Sequence, residues 1–199
     1  MSECAKGVFI HKLIYPFTHS PIHSKIGDFM KNIVLTGFMG TGKTEAGRIL
    51  SQRLGYALVD ADTEIEKEQG MAITEIFKQY GEPKFREIES DVVRRLSEME
   101  NTVISTGGGA VLRQENMDNL RKKSVIVCLT ASPETILKRT SNNNDRPLLQ
   151  VEDPLQKIKE LLEFRKPYYE KADIMIDTEG KSPLQVAEEI IEKTGIKKD

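Results

Sequence analysis

The sequence has no tryptophan, only two cysteines among 199 residues, and no apolar run approaching the roughly 20 residues that span a bilayer. The last absence excludes a transmembrane helix. Cys4 and Cys128 lie far apart, one in the first few residues and one inside an apolar run. That is neither a disulfide framework nor a zinc-ligand spacing, and it fits a reducing, cytoplasmic compartment. An excess of charge of one sign is also missing. Twenty-nine Lys and Arg stand against 31 Asp and Glu, for a formal net charge of −2 and a pI near 6.0. Nothing in that balance attracts nucleic acid or an anionic membrane surface globally. What is present, 38% hydrophobic and 30% charged residues with a mean hydropathy of −0.41, describes a single soluble globular domain.

Residues 1–30 differ from the rest. They hold all three histidines, His11, His19 and His23, and their apolar stretch over 8–17 is broken by His11, Lys12 and Pro16. A secretory signal wants an unbroken apolar core and a small-residue cleavage site, and a transit peptide wants more Arg and Ser. The stretch reads as an unassigned N-terminal extension, with the folded domain over 31–199.

From Lys31 onward, short Val/Ile/Leu runs at 32–36, 57–60, 102–105, 124–129 and 174–177 alternate with helical patterns. The helices are expected at 43–54, 62–68, 72–80, 83–99, 133–139, 154–171 and 183–193. Most of the runs are continuous rather than alternating, which predicts strands covered on both faces. Pro133, Pro154 and Pro183 each follow Ser or Asp, an N-cap and first-turn signature. Pro167 is expected to kink the sixth helix or end it early. The alternation predicts an α/β fold, a five-stranded parallel sheet wrapped by helices in three layers.

Gly37-Phe38-Met39-Gly40-Thr41-Gly42-Lys43-Thr44 follows the first strand and opens the first helix. This is G-x-x-x-x-G-K-[ST] in the context that gives it meaning. Backbone N–H groups and the helix N-terminus cradle phosphates, Lys43 reaches the β/γ-phosphates, and the Thr44 hydroxyl suits Mg²⁺. The loop predicts binding of a nucleoside triphosphate. At the end of the second strand, Asp60 and Asp62 form D-x-D, where alternate residues share a side. One carboxylate could hold the water shell of the metal and the other accept a hydroxyl proton. Asp62 also fits the N-cap of the following helix.

Three further features read less sharply. Arg86 and Glu89, three apart on a helix, could pair, although the spacing alone favours a solvated charged face. Gly107, Gly108 and Gly109 follow the third strand and clear side chains from its carboxyl end, making room for a ligand against the main chain. Arg139 and Arg146 flank the polar stretch Ser141-Asn142-Asn143-Asn144-Asp145, which reads as a mobile lid over about 140–150. A closing loop with an arginine excludes water and brings positive charge to a transferring group. Arg165, on the next helix, could offer a planar fork to a carboxylate. A flexible turn fits the three glycines less well than a ligand floor does, whereas ordinary helix or loop surface fits Arg139, Arg146 and Arg165 equally.

Taken in order, the phosphate loop, D-x-D, F-R-x-x-E, G-G-G-A-V and R-x(6)-R-P-L-L resemble the shikimate kinases, small members of the nucleoside monophosphate kinase-like P-loop fold. The resemblance covers residues 31–193. It implies transfer of the γ-phosphate of ATP to the 3-hydroxyl of shikimate, on the route to chorismate and the aromatic amino acids, by a monomer with Mg²⁺. By resemblance, Gly37, Met39, Gly40, Thr41, Gly42, Lys43 and Thr44 hold ATP. Thr44 and Asp60 serve the metal, and Asp62 binds the shikimate hydroxyls and acts as base. Arg86 and Arg165 grip the shikimate carboxylate, Glu89 holds Arg86, and Gly107, Gly108 and Gly109 contact the substrate. Arg146 is the lid arginine beside the phosphates, Arg139 stacks on adenine, and residues 178–183 border it. Two other readings stay open: a gluconate or nucleoside monophosphate kinase on the same fold, and a non-catalytic nucleotide-binding module.

Overall fold

In a computed structural model of the protein, residues 32–141, 149 and 151–197 are described. The lid residues Asn142–Leu148, Arg146 among them, and the N-terminal extension lie outside the described residues.

Five strands, β1 (Asn32–Thr36), β2 (Ala57–Asp60), β3 (Thr102–Ser105), β4 (Ser124–Thr130) and β5 (Ile174–Asp177), form one parallel sheet in the order β2-β3-β1-β4-β5. Register is set by pairs such as Leu35 with Ser105 and Leu35 with Val127. Among the described residues seven α-helices accompany the sheet: α1 (Lys43–Leu54), α2 (Ala61–Gln69), α3 (Ile73–Leu96), α4 (Gln114–Arg121), α5 (Pro133–Thr140), α6 (Pro154–Tyr169) and α7 (Pro183–Thr194). Along β1 and β4, successive residues belong to different cores. Val34, Ile126 and Cys128 pack with residues of α2, α3 and α4, whereas Ile33, Leu35, Val125, Val127 and Leu129 pack with α1 and α7. Continuous apolar runs therefore reflect two buried faces. The expectation fails at the edges: β2 and β5 are largely half-exposed or exposed, because each has a neighbour on one side only. Among the described residues, Cys128 is a free, buried cysteine. No helix among them is long and apolar enough to cross a membrane.

The proline signatures hold. Ser132, Asp153 and Ser182 each cap the helix that their proline opens. α3 contains a break at Gly81 (φ 77°, ψ 170°), which separates the two helical stretches read from the sequence on either side of it. Pro167 does not cut α6 short within its body. The helix continues through it to Tyr169 and ends two residues before the pattern suggests. α4 carries no helical apolar period in the sequence, since two of its four buried residues are asparagines, Asn116 and Asn119.

Outside the carboxyl ends of β1 and β4 the order of connections reverses, and a parallel sheet opens its ligand crevice at such a point. The loops after β1, β2 and β3 meet there.

Candidate functional site

The loop after β1 carries the phosphate-binding motif. Gly37 has φ 129°, and a Cβ on it would lie 2.2 Å from the Leu129 carbonyl oxygen, so both backbone angle and space demand glycine. Thr41 Oγ1 donates to the Phe38 carbonyl at 2.8 Å and closes the turn. Gly42 (φ 94°) is the N-cap of α1, which leaves the first N–H groups of the helix facing the loop. Lys43 Nζ donates to the carbonyls of Gly37 at 2.8 Å and Phe38 at 3.0 Å, which holds the ammonium over the loop mouth.

Asp60 ends β2 and caps α2. Its Oδ1 accepts from the N–H groups of Asp62 at 3.1 Å and Thr63 at 3.2 Å. This corrects both sequence readings of D-x-D. The cap is Asp60 rather than Asp62, and Asp62 reaches the cleft from the first helical turn, not from a strand's alternation. Burial pushes the Asp62 carboxyl from 3.8 up to about 6, helped by the charges of Asp60, Glu89 and Glu66 and opposed by Lys43. Lys43 and Asp62 thus act on one another across the mouth of the phosphate loop.

After β3, Thr106 N–H donates to the Leu35 carbonyl at 3.0 Å, and the chain then runs through three glycines. The Ala110 N–H returns to the Gly107 carbonyl at 3.1 Å, and Asn116 Nδ2 donates to the Ala110 carbonyl at 3.0 Å, which fixes the turn. Each glycine faces a different functional group. A Cβ at position 107 would sit 2.6 Å from Asp62 Oδ1, and one at 109 would sit 2.7 Å from Arg86 Nη1. At 108 it would meet Arg165 Nη1 at 3.2 Å, the Gly37 carbonyl oxygen at 3.3 Å and the Tyr169 hydroxyl at 3.5 Å. The triplet is therefore a floor on which the base candidate, two guanidinium groups and the phosphate loop converge.

Arg86 is not on a solvated face. Its Nη1 donates to Glu89 Oε2 at 2.9 Å, and its Nε and Nη2 donate to Glu82 Oε1 at 3.2 and 3.0 Å. Glu89 is only 2% exposed, and burial pushes its carboxyl up despite Arg86. Arg165 is 7% exposed, its guanidinium lies 5.4 Å from the Phe38 ring centre, and its buried Nε has no hydrogen-bond partner. No carboxylate among the described residues forms an ion pair with it. Glu89 acts on it through charge without forming an ion pair, and a buried cation of that kind suits a further anionic partner.

The opposite side of the phosphate loop is built by α5 and the turn after β5. Arg139 Nη1 donates to the Gly40 carbonyl at 3.2 Å and to Thr178 Oγ1 at 3.0 Å, and its Nη2 donates to the Thr178 carbonyl at 3.0 Å. These bonds engage the edge of the guanidinium of a residue that is otherwise exposed. The Glu179 carboxylate accepts from the Ser132 N–H at 3.1 Å, the Ser132 hydroxyl at 3.0 Å and the Thr135 hydroxyl, which ties the turn to the start of α5. These bonds hold the Glu179 carboxyl below its usual range, that from Thr135 most. Arg139 thus meets the phosphate loop at Gly40, while Arg86 and Arg165 meet the glycine floor at Gly109 and Gly108.

Thr44 is exposed in the first turn of α1, and Oδ2 of Asp60 takes no part in capping α2. Among the described residues no group of three or more His, Cys, Asp or Glu could enclose a metal ion. Two hard oxygen donors suit a magnesium ion that keeps waters and phosphate oxygens as its other ligands.

Two residues of the site escaped the sequence reading. Tyr169 donates to the Gly108 carbonyl at 2.9 Å, and Glu82 steadies Arg86. The available signals were spacings: each lies four residues from an arginine of the site on the same helix face.

A family model described as shikimate kinase matches residues 39–194. The chain is similar to the shikimate kinase of Thermodesulfovibrio yellowstonii, at 54% identity over 164 residues, covering 82% of this chain and 95% of the relative. It is likewise similar to the shikimate kinase of Caldanaerobacter subterraneus, at 51% identity over 162 residues, covering 81% of this chain and 95% of the relative. Among solved structures, it is similar to shikimate kinase from Acinetobacter baumannii in complex with shikimate. The TM-score there is 0.79 at 39% identity, covering 82% of this chain and 92% of that one.

Proposed function

The chain belongs to the shikimate kinase family, and from that premise we infer that it transfers the γ-phosphoryl group of ATP to the 3-hydroxyl of shikimate. The products are 3-phosphoshikimate and ADP, on the route to chorismate and the aromatic amino acids. The observation that carries this reading for the chain itself is Arg165, a buried guanidinium with an unpartnered Nε beside the glycine floor and the phosphate loop. An acceptor bearing a carboxylate supplies the missing partner.

In this reading Arg86 and Arg165 approach the acceptor carboxylate from two sides of the triplet and aim the ring so that a hydroxyl points at Asp62. Asp62 Oδ1, over Gly107, takes the proton as the hydroxyl oxygen bonds to the γ-phosphorus. The bond from that phosphorus to the bridging oxygen breaks, and its electron pair leaves with ADP. Lys43 moves from the carbonyls it now holds to the β/γ-phosphates, and the N–H groups of Gly37, Met39, Gly40, Thr41, Gly42 and Thr44 surround them. Mg²⁺, near Thr44 and Asp60, would neutralise phosphate charge when it enters with the nucleotide. Arg139 offers its face to adenine beside residues 178–183, and Arg146 of the lid is assigned to the transferring group. Every residue given a role in this reading belongs to the chain itself, which supports a monomer as the working unit. No feature of the site asks for nucleic acid or membrane. A cytoplasmic location suits a free buried cysteine and ATP as substrate.

ADP release with a panel of acceptors tests the reading against its rivals on the same fold. Shikimate is expected to support turnover, and gluconate and nucleoside monophosphates are not. A nucleotide acceptor preferred over shikimate would reverse the assignment.

A pH dependence follows from Asp62. Its carboxyl titrates near 6 in the folded protein against 3.8 ordinarily. Below that value it is protonated and cannot accept a proton, so kcat/KM for shikimate is expected to fall about tenfold per pH unit below about pH 6 and to level off above it. A flat profile between pH 5 and 7 would show that another group is the base.

A further inference from the structure

We propose that Tyr169 is a positioning residue for the acceptor carboxylate, its hydroxyl tying Arg165 to the Gly108 carbonyl so that the guanidinium stands in a single orientation over the glycine floor. The inference rests on the functional reading above and adds to it the residue that keeps Arg165 in place.

Tyr169 closes α6, four residues after Arg165 and therefore on the same helix face. Its ring is buried, at 5% exposure, and its hydroxyl donates to the Gly108 carbonyl at 2.9 Å. Arg165 interacts with the same hydroxyl oxygen. The point at which a Cβ of Gly108 would stand is 3.2 Å from Arg165 Nη1 and 3.5 Å from the Tyr169 oxygen, so the two groups meet over one backbone atom. A tyrosine hydroxyl has one proton to donate and lone pairs to accept with. With its proton committed to Gly108, it is left an acceptor toward the arginine, and the direction of both bonds is fixed. Burial holds the phenol proton on, pushing the group up to about 12, so this polarity persists throughout the working pH range.

The consequence is entropic as well as electrostatic. Arg165 has no carboxylate partner among the described residues to restrain it, in contrast to Arg86, which is clamped by Glu82 and Glu89. Phe38 supports one face of its guanidinium and Tyr169 fixes its edge. A long cationic side chain held in this way loses less freedom when the anion arrives, which is affinity gained through preorganisation. Without the hydroxyl, Gly108 keeps a carbonyl and Arg165 an N–H with no fixed partner, while the hydrophobic packing of the ring is retained.

The test is Y169F in the full chain, with initial rates measured as shikimate and ATP are varied in turn. Shikimate KM is expected to rise about tenfold, with ATP KM and kcat within twofold of wild type. The same rates with shikimate methyl ester, which keeps the three hydroxyls but presents no anion, separate positioning from general loosening. The variant and the wild type are expected to differ by less than twofold in KM for the ester. An unchanged shikimate KM in Y169F beside an active wild type overturns the inference alone, as does an equal penalty on acid and ester. A variant that loses ATP binding as well assigns Tyr169 to the fold and also overturns it. A wild-type chain with no shikimate-dependent ADP release overturns the functional reading, and this inference with it.

Discussion

Replacing Asp62 by asparagine is expected to lower turnover by about 10²–10⁴-fold while ATP binding stays within twofold of wild type. The amide has the shape of the carboxyl and keeps its place over Gly107, but it cannot take the proton of the acceptor hydroxyl. In the proposed reading ATP is held by the loop after β1, whose turn Thr41 closes onto the Phe38 carbonyl, and by Lys43, which donates to the carbonyls of Gly37 and Phe38. Stability should move in the opposite direction from activity. An acid whose pKa is raised by the fold, here from 3.8 to about 6, is more costly to ionise in the native state than in the unfolded chain. The native state is therefore favoured while the group is protonated and loses that advantage as pH rises through about 6. At neutral pH the neutral D62N side chain removes the penalty, and its melting temperature is expected to equal or exceed that of wild type. Steady-state rates and thermal unfolding on the same preparation check both halves. Wild-type turnover in D62N would remove Asp62 as the base.

The second large effect is expected from Arg86→Ala, as a rise in shikimate KM on the order of 10²-fold with a smaller change in kcat. One charge-assisted bond to a carboxylate is worth about 1.5–3 kcal/mol, or roughly 10- to 150-fold. Arg86 also neutralises Glu89, which is 2% exposed. Removing the arginine leaves that acid buried without its partner, facing the anion that the cleft is meant to admit. The leftover charge also disfavours ionisation of Asp62, whose pKa Glu89 already raises. R86A should therefore shift the acid limb of the pH profile upward while weakening shikimate, and ATP KM should hold. Saturation curves for shikimate at fixed high ATP, measured from pH 5 to 8, check this. An unaltered shikimate KM would take the carboxylate grip away from Arg86.

Much of this was legible in the residues because local rules and global fold agree. Continuous apolar runs marked β1, β3 and β4, and serine or aspartate before proline marked the starts of α5, α6 and α7. The phosphate loop announces itself because its glycines and lysine do one task at fixed spacing. What spacing could not show was partnership across the chain. Arg86 looks like a surface charge until Glu89 is found buried beneath it. Arg165 and Tyr169 reach their site through a sequence distance of about 60 residues to Gly108, which no local pattern encodes. The second strand ends at Asp60 as its apolar run suggests, but the helix begins at Ala61 rather than at 62, so Asp60 is the cap and Asp62 lies in the first turn instead of on an extended chain. Net charge was the least informative quantity. A chain at −2 overall still brings Lys43, Arg86 and Arg165 to one cleft, and the local field selects the ligand.

The central claim is that this cleft aims one hydroxyl of a carboxylated ring at the γ-phosphate of ATP, and product analysis of a single reaction tests it most directly. Wild-type protein incubated with ATP, Mg²⁺ and shikimate, followed by phosphorus and proton magnetic resonance, is expected to yield ADP and 3-phosphoshikimate in equal amounts. No ADP above the shikimate-free background, or phosphate on a different hydroxyl, would contradict it.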